Sequence, residues 1–181
     1  MIFSETRLPG SWIIDIEPMD DDRGFFARSF CQEEFAAHGL DTHLAQCNIS
    51  YNRARGTLRG MHYQQPPHEE AKLVRCTAGA IFDVVVDLRA DSPTFMGHIA
   101  VELSARNRRA LFIPRGFAHG FQTLEDDAEV FYQMSTPYVP HSASGFRYDD
   151  PALDLPWPET VTRVSEKDLS YPPLDPETFA S

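Results

Sequence analysis

The run AIFDVVVDL, Ala80 to Leu88, decides the fold class of this chain. Its period of two puts Phe82, Val84, Val86 and Leu88 on one face and Ile81, Asp83, Val85 and Asp87 on the other. That is a β-strand apolar on both sides. Two carboxylates on one such face need partners, because an unpaired buried charge is expensive. Their face is therefore either solvated or turned into a polar cavity. The run is also the most apolar stretch of the chain, and with two acids in it no segment spans a bilayer.

Working outward, the same signature recurs. Strands are expected at Trp12–Ile16, Phe25–Cys31, Ala45–Tyr51, Leu73–Ala78, His98–Leu103, Arg109–Ile113, His119–Thr123 and Glu129–Ser135, with Gly, Pro, Asn and Asp between them. Strands at roughly ten-residue spacing indicate a sandwich, barrel or jelly roll. One short helix is expected, Gln32 to His38, with acids in its first turn and Gly39 as its stop. From about Pro137 the chain becomes a proline-rich, irregular tail, whose Phe146, Tyr148 and Trp157 are expected to pack against the body. No repeat, low-complexity tract or second domain is visible, so residues 1–181 read as one all-β domain.

Composition narrows the function. Sixteen basic against 27 acidic side chains leave a net charge of −11, which speaks against nucleic acid and against anionic lipid as partners. A few Arg or Lys inside a pocket still suffice for a small anionic ligand. At 42% hydrophobic the chain is far from disordered. Cys31, Cys47 and Cys76 form no metal-binding or disulfide pattern and read as reduced, buried thiols. The opening MIFSETRLPG has no basic start and apolar core, hence no signal peptide is expected, and the location is expected to be cytoplasmic.

Four clusters could carry chemistry. The densest is GTLRGMHYQQPPHEEAK, Gly56 to Lys72, which gathers Arg59, His62, His68, Glu69, Glu70 and Lys72 around a Gly-rich turn and a Pro-Pro break. The others are PRGFAHG with His119, the stretch carrying Tyr132 and Tyr138, and SEKD, Ser165 to Asp168, in the tail. PRGFAHG resembles the second metal motif of cupin jelly rolls, P-x-G-x-x-H. The first cupin motif needs H-x-H, however, and His62 is followed by Tyr63 and Gln64. A metal wants three or four converging ligands, so no metal is expected. The same residues suit proton transfer: a histidine base aimed by a carboxylate, a cation beside a developing enolate, and a phenol as acid.

Taken in order, DRGFFARSF (22–30), QCNIS (46–50), TLRGMHYQ (57–64), KLVRCTAGAIFDVVVDLR (72–89), IPRGFAHGF (113–121) and SEKD (165–168) make the chain resemble the dTDP-4-dehydrorhamnose 3,5-epimerase family. The resemblance implies a cupin-type jelly roll, a homodimer, and a nucleotide-sugar substrate, with neither metal nor redox cofactor. It implies that His62 is the base and Asp168 its orienting partner, that Lys72 and Arg59 steady the enolate and diphosphate, and that Tyr132 is the opposing acid. His119 would be a second imidazole of the site, with Asp83 placed by strand parity to pair with it. Arg23, Phe26, Gln46, Asn48, Tyr138 and Lys167 would contact the nucleotide sugar, Arg23 and Phe26 on an arm that crosses to the partner subunit.

Two positions leave the family pattern: Arg28 and Ala143 stand where the dTDP enzymes usually carry glutamate. HEEAK likewise replaces a more usual Gln-Gly before the lysine. The first two departures lie on the nucleotide side, and together with the third they suggest a CDP- or GDP-linked sugar, or another 4-keto deoxysugar. Inversion at C3, at C5 or at both, and 3,4-ketoisomerisation, share these catalytic groups. A cupin that binds sugar nucleotides without turnover is the alternative from another class.

Overall fold

The structure, a computed structural model, describes residues 1–179. Its strands are β1 (Ile2–Glu5), β2 (Trp12–Asp15), β3 (Met19–Asp21), β4 (Gly24–Phe26), β5 (Gln46–Asn52), β6 (Leu58–Gln64) and β7 (Lys72–Ala78). They continue with β8 (Ala80–Asp87), β9 (His98–Ser104), β10 (Ala110–Ile113), β11 (Phe117–Thr123), β12 (Ala128–Met134) and β13 (Ala143–Gly145). Helix α1 (Gln32–Ala37) precedes β5, and α2 (Glu166–Ser170) lies in the tail before a 3-10 turn at Pro176–Phe179. A six-stranded sheet, β1-β2-β10-β7-β12-β5, faces a five-stranded one, β13-β6-β11-β8-β9. All pairings between these strands are antiparallel, and β3 and β4 form a separate hairpin. This is an open jelly roll.

Each sheet is apolar on both faces for a reason visible in the packing. Between the sheets, Val74, Ile81, Val85, Leu111, Phe121 and Val130 form the central core. Behind the five-stranded sheet, Val84, Val86 and Leu88 are covered by Phe146, Leu153 and Leu174 of the tail. Behind the six-stranded sheet, Leu73 and Phe112 meet Phe35 of α1. Each fully buried side chain of this kind contributes about 1.5–3 kcal/mol. The three layers account for the double-faced apolarity of β8.

The acids of β8 are not solvated. Asp83 and Asp87 are both fully buried. Asp83 meets His119 in the interior, whereas Asp87 accepts bonds from Arg89, Ser92 and Thr94 at 2.6–2.8 Å. Burial alone would raise the Asp87 carboxyl, but Arg89 and the two hydroxyls hold it below its ordinary value.

Several expectations need correction. The segment 25–31 is a strand only as far as Phe26; beyond it the chain leaves the hairpin so that Phe30 can pack on Phe35. The Gly-rich stretch read as a turn is in fact β6, hydrogen-bonded on both edges, to β11 and β13. β1 went unpredicted, and the tail is not irregular throughout, since it holds β13 and α2. Helix α1 stops at Ala37 with His38 as its cap. Of the three cysteines only Cys76 is buried; Cys47 is exposed and Cys31 intermediate.

Candidate active site

The site begins with a close approach. Gly60 has φ +121°, and a Cβ there would lie 2.5 Å from Gly120 Cα. Only glycine tolerates both conditions. β6 and β11 can therefore lie tightly together, with a register irregularity between His119 and Phe121. Such bulges re-aim side chains beside functional sites. His62 stands directly opposite His119 in this pairing.

Each of these imidazoles has its own carboxylate. His119 Nε2 lies 2.5 Å from Asp83 Oδ1, and both residues are buried. His62 Nε2 lies 2.7 Å from Asp168 Oδ1, with Asp168 buried and the His62 side chain 41% exposed. Asp168 comes from the distant tail, and local bonds set it in place. Leu58 N–H donates to Arg163 O and Thr162 N–H to Gly56 O, both at 2.9 Å, which stitches the tail to the start of β6. Ser165 then caps α2, its Oγ accepting the Asp168 N–H at 3.0 Å. Asp168 Oδ2 accepts the Gly60 N–H at 3.3 Å. Burial works to raise the Asp168 carboxyl, but His62, the Gly60 amide and Ser165 together hold it below its ordinary range.

His62 opens on a cavity of about 510 Å³ between the sheets. Facing it from the six-stranded sheet are Gln46, Asn48, Lys72 and Tyr132, joined by Tyr138, Lys167 and Ala143 at the rim. Burial raises the Tyr132 phenol above its usual range, against a smaller opposing effect of Arg59, so it keeps its proton at neutral pH. Lys72 Nζ lies 3.0 Å from Glu70 Oε1. The Tyr138 N–H donates to Gln46 Oε1 at 2.8 Å. An oriented imidazole, a protonated phenol and an ammonium around one cavity can abstract a proton from carbon, return one, and stabilise the anion between the two steps.

Seven of the expected residues thus share this cavity: Gln46, Asn48, His62, Lys72, Tyr132, Tyr138 and Lys167. Asp168 sits behind His62, on the wall of a second cavity of about 950 Å³ that Arg59 also lines. Arg59 is held there by Asn52 Oδ1 at 2.7 Å. His119 does not line this cavity; it stands opposite His62 on β11, bound to Asp83 as strand parity leads one to expect. Arg23 and Phe26 line neither cavity, being on the β3–β4 hairpin, where Arg23 folds onto Asp21 and Phe26 is 69% exposed. Arg28 pairs with Glu34 of its own chain at 2.5 Å.

The structure adds residues the sequence did not announce. Tyr171 stands edge-on to His62, ring centroids 6.0 Å apart, and its phenol keeps the Lys167 ammonium charged above its ordinary range. It follows Asp168 by three residues, which on a helix end means a shared side, a signal available in SEKDLSY. Among the described residues no three His, Cys, Asp or Glu side chains converge as metal ligands. No helix among them is long and apolar enough to cross a membrane.

Residues 5–176 match the family model described as dTDP-4-dehydrorhamnose 3,5-epimerase. A protein of that name from Sinorhizobium fredii (strain NBRC 101917 / NGR234) is 41% identical over 175 residues, 96% of this chain and 90% of that protein. The crystal structure of the Bacillus anthracis dTDP-4-dehydrorhamnose 3,5-epimerase with TDP and PPi bound superposes with a TM-score of 0.92 at 39% identity, covering 96% of this chain and 99% of that one. The dTDP-6-deoxy-D-glucose-3,5-epimerase of Legionella pneumophila Philadelphia 1, in complex with dTDP-4-keto-L-rhamnose, gives 0.89 at 38% identity, covering 95% and 92%.

Proposed function

The chain belongs to the dTDP-4-dehydrorhamnose 3,5-epimerase family, and from that premise we propose how its own residues perform the reaction. It is an isomerase that epimerises a nucleotide-linked keto-deoxysugar in rhamnose-type biosynthesis. The 4-keto group acidifies the hydrogens on C3 and C5. His62 removes one as a proton, and the electron pair moves into an enolate oxygen steadied by Lys72, while Arg59 on the wall of the second cavity serves the diphosphate. Tyr132 delivers a proton to the same carbon from the other side, which inverts the centre. The imidazolium then loses its proton and the phenolate regains one, so the enzyme ends unchanged. Asp168 aims the imidazole and offsets its positive charge. Gln46, Asn48, Tyr138 and Lys167 bind the nucleotide sugar, and His119 backs the site through its cross-strand contact with β6.

The observation that carries this reading is that His62 and Tyr132 line one cavity from opposite sheets, with Asp168 2.7 Å behind the imidazole. Proton NMR of the keto sugar in D₂O tests it. The native enzyme should exchange and invert; His62→Ala should do neither; Tyr132→Phe should still exchange deuterium while inversion falls by about 10²-fold or more. A His62→Ala enzyme of native rate overturns the assignment.

Arg23 and Phe26, exposed on their hairpin, are assigned to a neighbouring subunit's cavity in a homodimer. The exposed Ile49 and Tyr51 on edge strand β5 are apolar surface that such an assembly would cover. A cytoplasmic location suits its three free thiols. Ala143 on the cavity rim, and Arg28 bound to Glu34, remove carboxylates from the nucleotide side and favour a CDP- or GDP-sugar. Binding of matched dTDP-, CDP- and GDP-sugars checks this, and a clear preference for dTDP overturns it.

A further inference from the structure

Glu70 is the one charged residue of the cavity wall to which the reaction gives no task. Its side chain is 4% exposed, and that of Lys72 is 9% exposed. Among the described residues Glu70 is the only partner of Lys72 Nζ, at 3.0 Å, and Glu70 Oε2 has none at all. A buried carboxylate with one oxygen unbonded is costly. A negative charge beside an ammonium that must face an enolate also weakens that ammonium electrostatically. Stability does not explain its presence, since a neutral buried pair of similar volume is often as stable or more so.

The geometry accounts for it in another way. Glu70 and Lys72 flank Ala71 at the very start of β7, and their side chains meet at 3.0 Å. The residue between them is clamped: Ala71 N–H donates to Ser135 Oγ at 2.8 Å, and Ser135 N–H to Ala71 O at 3.0 Å. Lysine is a point charge on a four-carbon stem with much rotamer freedom. Charge stabilisation is efficient only when the charge already stands where it is needed.

We propose that Glu70 is a positioning residue, fixing the Lys72 ammonium at one point of the cavity wall so that it meets the enolate oxygen without rearrangement. This rests on the reading of Lys72 given above and adds a residue to it. Glu70 acts through Lys72 and touches no reacting atom.

Four full-length variants, Glu70→Leu, Glu70→Gln, Lys72→Met and the double variant Glu70→Leu/Lys72→Met, test the idea by deuterium exchange and inversion of the keto sugar. Glu70→Leu should lower kcat roughly 10- to 100-fold, the scale of a misplaced group. Glu70→Gln, whose amide oxygen still accepts from the ammonium, should keep most of the native rate. KM should stay within about twofold, and exchange and inversion should fall together, because enolate formation precedes both. On the Lys72→Met background, Glu70→Leu should cost nothing further, since residues acting as a unit are non-additive. Additive losses, an unchanged kcat in Glu70→Leu, or a rise in KM alone each overturn the proposal. Lys72→Met leaves a carboxylate buried without a partner; should it fail to fold by circular dichroism, the crystal structures of native and Glu70→Leu protein decide alone. If the native enzyme turns over no keto sugar, the functional reading fails by itself. In those structures a Lys72 side chain that keeps its place in the variant overturns the positioning, and one that swings away upholds it.

Discussion

His62 is useful only as far as it is aimed. Its ring nitrogen faces a carboxylate that is itself bonded by Gly60 and enclosed by the fold, so the tautomer with its proton on Nε2 is favoured and Nδ1 is left to accept a proton. Asp168→Asn retains the shape and loses the charge; its kcat should fall by about 10²–10⁴-fold with little change in nucleotide binding, as steady-state kinetics and calorimetry would show. At this scale the sequence is informative wherever a motif names a residue: LRGMH, KLVR and SEKD single out His62, Lys72 and Asp168, which the structure brings together around the cavity that Tyr132 also lines. Glu70 stands in the sequence only as one member of a polar cluster, and Tyr171 only as a neighbour of SEKD. Their importance comes from a 3.0 Å ion pair and a ring placed edge-on, and both arise only after strands and tail have met. His119 is legible as an imidazole paired with Asp83, because parity tells which face a residue takes; that it does not line the cavity follows only from depth, which parity does not give.

Among the elements, β6 is the one on which the site depends, and the sequence pattern does not announce it as a strand. Glycine and polar residues interrupt its alternation, so the usual strand signal is missing, yet both of its edges are hydrogen-bonded. Its backbone is shaped by neighbours and not by propensity. Gly60→Ala should consequently cost about 2 kcal/mol or more, since the new methyl would meet Gly120 and the φ of +121° is hostile to any L side chain. Urea denaturation measures that cost, and exchange activity should drop with it because His62 and the Gly60 amide move together. By contrast β8, β9, β11 and β12 were placed within a few residues, since their apolar alternation is enforced by layers on both sides. The Phe25–Cys31 misreading has the opposite cause: aromatic residues that look like a strand are claimed by two different neighbours, a free hairpin and the pocket around Phe35.

For the molecule as a whole, buried acids set the response to pH. Asp87 and Asp168 are held below their ordinary value of 3.8 in the folded chain. The unfolded chain therefore takes up their protons first; both groups stabilise the fold above that value and cease to do so as pH falls through the lowered one. The urea midpoint should hold down to about pH 5 and decline below about pH 4, and Asp87→Asn should lower it at neutrality while flattening part of the acid slope. Subunit exchange tests the assembly: mixing inactive His62→Ala protein with Arg23→Ala protein should restore activity, because one mixed site unites an intact base with an intact arm. The stretch from Phe146 to Leu174 sheathes the outer face of the five-stranded sheet and also brings Asp168 to His62. Synthesis on the ribosome thus delivers the imidazole, the lysine and the phenol more than thirty residues before the group that aims them. A polypeptide released short of Asp168 would carry most of the reagents and remain silent toward reactive keto sugars, so completion of the chain is itself the condition of competence.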